Sequence, residues 1–411
     1  MMEKENKLTA GRGVRDMIYS ISATAFFNMI IQLVLYPFMA RRLGDEGYGL
    51  ALAALSFVAI SAGTVGTAAN YSRMVSHKTL KPTNGDYNII MLAGGILCGV
   101  LGVGYLAING MASPVVCMLF ALLLLLTAFR YYSDVDFRLS SNFFRYMVFY
   151  VIISLGYVLG LAVFALTGEW MWALIVGEAL GVGYVVLFGT IYRSDLLRKS
   201  RSFKPVCASM GLILLSTLIE NLALNSDRLL LAAFESGTAA AIYYTASLFG
   251  KVVAMLTVPI NSLIISYLVK LDVRLSPRFW RYCMIIAVAV GGVAFGGCVL
   301  VSPLFLRLLY PDLYEAARPY IASAILGQIF YFISNVLVII LLKFRGEKKQ
   351  FAFNVIYAVE FFALTVPCTV LWGLNGFVWS SLGANALRFL MVAVWGAVEA
   401  RNDKKYQEAG K

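Results

Sequence analysis

Glu220, Asn221, Asn225, Asp227 and Arg228 fall within nine consecutive residues of an otherwise apolar run, and Lys251 stands in the apolar run that follows. Wound as a helix, the five occupy one arc of about 160°, with Leu224 the one apolar residue inside it. Glu178, Glu360 and Arg388 are isolated in the same way within other apolar stretches. An ionisable group at membrane depth costs roughly 2.5–3.5 kcal/mol on insertion scales, so such groups face a bundle interior or a wet cavity. Two kinds of chemistry follow from these residue types. Arg228, Lys251 and Arg388 could attract a compact anion, because a cation in a low-dielectric cavity acts strongly on concentrated negative charge. Glu178, Glu220, Asp227 and Glu360 could take up a proton or a sodium ion, because a buried carboxylate is stabilised by binding either. Asn221 and Asn225 would add neutral polar contacts, and Arg73 with Asn70 could form part of an entrance. Each group also has a structural alternative. Arg228, Lys251 and Arg388 could be salt-bridged to Asp227, Glu220 and Glu360, and Arg73 could be a plain interfacial anchor.

Catalytic chemistry is not expected. The chain has one histidine, His77 in a short polar loop, and no C-x-x-C pair among its six cysteines. The cysteines lie in or beside apolar runs and read as small buried hydrophobes. No enzyme activity, metal or cofactor is therefore anticipated.

These residues require long apolar helices to carry them. Of the 411 residues, 60% are hydrophobic and 14% charged, against about 25% charged in a soluble protein. Runs of about 20 apolar residues define spans, predicted at 17–40, 47–72, 88–108, 113–130, 147–166, 171–192, 206–233, 239–269, 282–301, 319–342, 351–372 and 376–398. The connections at RRLGDEG, Asn109-Gly110, TGEWM and GLNG read as turns, RYYSDVDFRLSSNFFRYM reads as a loop, and Pro259 is expected to kink the eighth span. The fold class is thus an all-α polytopic membrane protein with twelve transmembrane helices. Of its 34 Lys and Arg, 27 fall in the two tails and the loops on their side, four on the opposite side, and three (Arg228, Lys251 and Arg388) within spans. The positive-inside rule then places both termini in the cytoplasm. The net charge of +12 belongs to loops facing anionic lipid, so nucleic acid is not an expected partner.

LGDEGYGLALAALSF (43–57) and FESGTAAAIYYTASLF (234–249) match weakly, each with an acid, a glycine, a small-residue run and an aromatic exit. With six spans on either side of RSDLLRKSRSFK, this suggests two six-helix bundles, 1–192 and 206–411, joined by a cytoplasmic linker loop at 193–205. Parallel repeats of this kind put a substrate path between the halves.

YPFMARRLGDEGYGLALAALSF (36–57), FRYYSDVDFRLSSNFFRYMVFY (129–150) and NSDRLLLAAFESGTAAAIYYTASLFGKVVAMLTVPINSLIISYLVK (225–270) carry a further likeness. They resemble polysaccharide-repeat flippases (O-antigen- and capsule-type, Wzx-like) of the multidrug/oligosaccharidyl-lipid/polysaccharide (MOP) exporter superfamily, over essentially the whole chain. The resemblance implies a MATE-like pair of six-helix bundles in the bacterial cytoplasmic (inner) membrane. It implies alternating access that moves an undecaprenyl-diphosphate-linked oligosaccharide from the inner to the outer leaflet. Membrane lipids, a coupling proton or sodium ion, and glycan polymerase machinery are the other candidate partners. The lipid II flippase branch has two further spans, absent here. The drug-exporting branch carries a cation-coupling motif in its first span, where this chain offers only Asn28 and Gln32. Two other readings stand beside the flippase. One is a cation-coupled multidrug (MATE-type) exporter, which wants buried acids without buried bases. The other is a membrane glycan polymerase or ligase, which wants a catalytic pair and a long external loop.

Overall fold

The computed structural model describes residues 2–77, 79–193, 195–255, 257, 260, 264, 275–345 and 347–409. The expected kink at Pro259 and the last part of the eighth span lie outside the described residues. In chain order the helices are α1 (Met2–Ile30), α2 (Tyr36–Val58), α3 (Thr64–Ser76), α4 (Asn84–Ile108), α5 (Pro114–Leu139), α6 (Phe143–Thr167), α7 (Trp172–Phe188), α8 (Phe203–Phe234), α9 (Gly237–Met255), α10 (Pro277–Leu309), α11 (Pro311–Ala317), α12 (Ile321–Arg345) and α13 (Glu347–Ala409). Wider π-helical turns at Ile31–Leu35 and Ala59–Gly63 join α1 to α2 and α2 to α3.

Eight segments are long and apolar enough to cross a membrane, and Trp172–Phe188 is a shorter apolar helix. Two of the eight, Ile18–Ser76 and Phe351–Asn402, hold 59 and 52 residues. At 1.5 Å per residue each is more than twice the roughly 30 Å of a hydrocarbon core, so each must hold two crossings. Each is interrupted at one glycine, Gly44 (φ 67°) and Gly373 (φ 57°), where a side chain would be strained. These breaks fall in the predicted turns RRLGDEG and GLNG. With the shorter helix α7, these segments make an all-α, multi-pass fold among the described residues.

The helix starts are written locally. Ser113, Asn142 and Ser276 accept from the backbone of Val116, Arg145 and Phe279, and Pro114 and Pro277 take the first helical position. Thr83 and Asp86 form a reciprocal capping box on α4. The end of the fourth span departs from expectation. The fourth span was predicted to end at Arg130 in a loop, whereas α5 continues to Leu139. Arg130, Asp134 and Arg138 follow one another at four-residue spacing, so they line one face of the added turns.

The chain divides into two compact units, residues 1–42 with 54–225, and residues 43–53 with 226–411. In the first, α5 is the hub, packed against α3, α4 and α7, while α6 lies against α1 and α7. α6 and α7 approach closely at Gly177, where a Cβ would strike Tyr157 at 2.2 Å and the Ile153 carbonyl at 2.7 Å. In the second unit α12 is the hub, against α9, α10 and α13. There the two weakly repeated segments meet. Glu46 accepts from the Gly237 and Thr238 amides at 3.0 and 2.7 Å and from the Thr238 hydroxyl at 2.9 Å, capping α9. Tyr48 packs against Tyr244 and Tyr310. A Cβ on Gly49 would lie 1.6 Å from the Gly237 carbonyl oxygen. Gly49→Ala is therefore expected to destabilise the protein by about 1–3 kcal/mol through overpacking. Thermal unfolding in detergent measures this, and an unchanged midpoint would rule the contact out.

Candidate functional site

Of the residues singled out by sequence, the second unit holds Asp227, Arg228, Lys251, Glu360 and Arg388. Asp227, near the end of α8, is 6% exposed. Its carboxylate makes an ion pair with Lys251 of α9 and lies 3.5 Å from Arg228 Nε. Its Oδ1 also accepts from the Arg228 amide at 2.9 Å. The Tyr244 ring faces both cations, 5.4 Å from the Arg228 guanidinium and 5.1 Å from the Lys251 ammonium. Twenty-four positions separate Asp227 from Lys251, so the pair staples α8 to α9. Removing a buried pair's acid leaves an uncompensated charge, while the intact pair contributes little net stability.

Arg388 of α13 is held differently. It is 2% exposed and makes no ion pair with a carboxylate among the described residues. Its guanidinium lies over the rings of Tyr357 (4.2 Å), Tyr331 (4.6 Å) and Phe353 (5.6 Å). Its Nη2 donates to Asn335 Oδ1 at 2.6 Å and to Asn354 Oδ1 at 3.4 Å, and its Nε is buried without an acceptor. Aromatic quadrupoles and amide dipoles thus stand where a counter-ion would normally be. The Tyr357 hydroxyl donates to Asn385, whose amide donates to the Ser381 carbonyl, so a second layer fixes the cage. Glu360 lies one turn beyond Tyr357, within electrostatic reach of Arg388, and both its carboxylate oxygens are buried without a hydrogen bond.

In the first unit Glu178 of α7 is 2% exposed and accepts from Arg130 Nε at 2.8 Å and from the Tyr157 hydroxyl at 2.7 Å. Arg130 stacks over Tyr131 at 3.9 Å and Phe27 at 5.4 Å. One turn on, Asp134 accepts from Tyr150 and lies 3.8 Å from Arg138. Arg73 is buried at the end of α3, where it donates to Tyr132 and Asn84 and lies over the Tyr87 ring at 5.5 Å. Asn70 donates to the Tyr131 carbonyl, Asn221 to the Thr64 hydroxyl, and Asn225 to the Asn221 carbonyl. Glu220 is exposed.

Sequence reasoning missed Arg130, which was counted among loop charges, and with it the partner that neutralises Glu178. The four-residue spacing of Arg130, Asp134 and Arg138 was the available signal. It also missed the rings and asparagines around Arg388, for which no local pattern exists. Of the three cations expected in spans, two share Asp227 and the third stands apart in its own cage.

Fold and site together define a multi-pass membrane protein with buried cations in both units. Comparison with solved structures gives the fold its class. The chain is similar to a multidrug resistance MATE family transporter of the MOP superfamily in an inward-facing conformation, with TM-score 0.68 and 13% identity, covering 94% of this chain and 99% of that one. It is similar to the lipid II flippase MurJ in an inward closed conformation, with TM-score 0.65 and 14% identity, covering 93% and 90%. It is also similar to the Vibrio cholerae MATE transporter VcmN in its bent form, with TM-score 0.57 and 14% identity, covering 95% and 96%. The chain thus has the all-α fold of MOP-superfamily transporters. No family model and no curated protein matches the sequence.

Proposed function

We propose that this protein is a flippase of the MOP superfamily. It translocates an undecaprenyl-diphosphate-linked oligosaccharide repeat unit from the inner to the outer leaflet of the bacterial cytoplasmic membrane by alternating access of two six-helix halves, with both termini cytoplasmic. The observation that carries this reading is Arg388, a buried guanidinium surrounded by rings and amides with no carboxylate ion pair among the described residues. Such a group favours an arriving phosphate, because charge-assisted hydrogen bonds to phosphate are the strong ones and no internal acid competes at contact distance. Arg228, Lys251, Asn221, Asn225 and Arg73 are proposed as further substrate contacts, with Lys251 and Arg228 exchanging Asp227 for phosphate during the cycle. Glu178, Glu220, Asp227 and Glu360 are the proposed coupling carboxylates.

The sequence resemblance and the fold shared with a lipid II flippase support this reading. A drug-cation exporter needs acids free to receive a cation, and Asp227 and Glu178 are each engaged by a base. Glu360, whose oxygens accept no hydrogen bond among the described residues, favours the exporter.

Deletion followed by analysis of the lipid-linked intermediates tests the proposal. Undecaprenyl-linked repeat units are expected to accumulate on the cytoplasmic leaflet, with unchanged sensitivity to lipophilic cations. Normal export after deletion, or a drug-sensitive strain with normal export, would overturn it.

A further inference from the structure

The basic stretch between α7 and α8 is held in place by a buried carboxylate. Asp86, fully buried at the start of α4, accepts from the Ser200 amide at 2.7 Å and the Ser200 hydroxyl at 2.6 Å, and from the Thr83 amide and hydroxyl at 3.0 Å. The Ser202 hydroxyl donates to the Leu80 carbonyl at 2.7 Å, and Asn84 donates to the Thr190 carbonyl at 3.0 Å. Gly85 lets the stretch lie directly on the first turn of α4, since a Cβ there would meet the Asp195 and Arg198 carbonyl oxygens at 2.2 and 2.3 Å. A connection with only a topological role needs no such fixing, because loop charge orients a span whatever shape the loop adopts.

The fixed backbone directs an unusual combination outward. Leu196 and Leu197 are 54% and 65% exposed, on a segment beyond the apolar helices. Arg198, Lys199 and Arg201 follow directly, all exposed. Two adjacent apolar side chains beside three cations, at the end of a membrane-spanning bundle, match the boundary between acyl chains and anionic headgroups.

We infer that residues 196–201 form a docking surface for anionic phospholipid headgroups, with Leu196 and Leu197 seated at the acyl boundary and Asp86 holding the surface in position. The occupant is the bilayer itself. Its phosphates complement Arg198, Lys199 and Arg201, and the leucines point to a phase that free phosphate cannot supply. This inference is independent of the transported substrate.

The test uses the full-length protein in nanodiscs of equal parts phosphatidylglycerol and phosphatidylcholine, scoring which lipid stays bound after extraction. The wild type is expected to retain phosphatidylglycerol preferentially. Arg198→Gln/Lys199→Gln/Arg201→Gln is expected to lower that preference at least about tenfold, because each basic side chain near an anionic surface adds substantially to its attraction. Arg278→Gln/Arg281→Gln, in the first turns of α10, is expected to leave it nearly unchanged. Leu196→Ser/Leu197→Ser keeps every charge and is expected to weaken retention of both lipids. The inference is overturned by an unchanged preference in the triple variant, by an equal loss in the Arg278/Arg281 control, or by sensitivity to free inorganic phosphate in place of lipid.

Discussion

Arg388→Ala is expected to reduce export of the lipid-linked substrate on the order of a hundredfold while the protein remains in the membrane. A hydrogen bond to a charged group contributes about 1.5–3 kcal/mol, and a guanidinium engages phosphate through two of them. Losing both therefore removes at least two decades at about 1.4 kcal/mol per decade. Arg388→Lys is not expected to rescue, because a compact ammonium cannot both stack between Tyr331 and Tyr357 and reach Asn335 and Asn354. The rival explanation is a hole in the second unit that unfolds it. Arg388→Met retains most of the volume against the rings, so it separates lost charge from lost packing. The measurement is the amount of repeat unit on each leaflet, normalised to protein in the membrane. Normal export by both the alanine and methionine variants at wild-type abundance would falsify the anion site.

The second large effect concerns stability. Asp227→Ala leaves the Lys251 ammonium buried next to Arg228 with its ion-pair partner gone. Breaking a buried pair in this way costs about 3–5 kcal/mol, a large fraction of a typical folding free energy of about 5–15 kcal/mol. Thermal unfolding in detergent should show a much lower midpoint for Asp227→Ala. Adding Lys251→Met should recover most of the loss, since replacing both members of a buried pair is often neutral. Glu178→Ala, repaired by Arg130→Met, is the matching pair in the first unit. If Asp227→Ala melts like the wild type, the Asp227–Lys251 contact does not exist in the folded protein. The two results are linked. If Asp227 neutralises Lys251 at rest, replacement of Arg388 should impair transport more than that of Lys251.

Much of the architecture was legible in the amino-acid order. Span number follows from the length of apolar runs against a fixed bilayer thickness, and the breaks at Gly44 and Gly373 follow from a backbone angle that other residues resist. The isolated charges Asp227, Lys251, Glu178 and Arg388 were visible for the same reason, as polar groups in a solvent that penalises them. One legible feature was misread. Arg130, Asp134 and Arg138 carry a helical spacing, yet their polarity made them look like a loop.

What each charge does was decided by tertiary structure. Arg130 and Glu178 are 48 positions apart and Asp227 and Lys251 are 24 apart, so nothing local could say that these acids are already engaged. The Arg388 cage draws on α12 and on both arms of the helix that Gly373 interrupts, with Asn335 standing 53 residues away. Hydropathy fixes which segments leave water, because that transfer depends on each side chain alone. The pairing of buried charges depends on which helix faces meet, and those faces are chosen by packing among residues far apart in the chain.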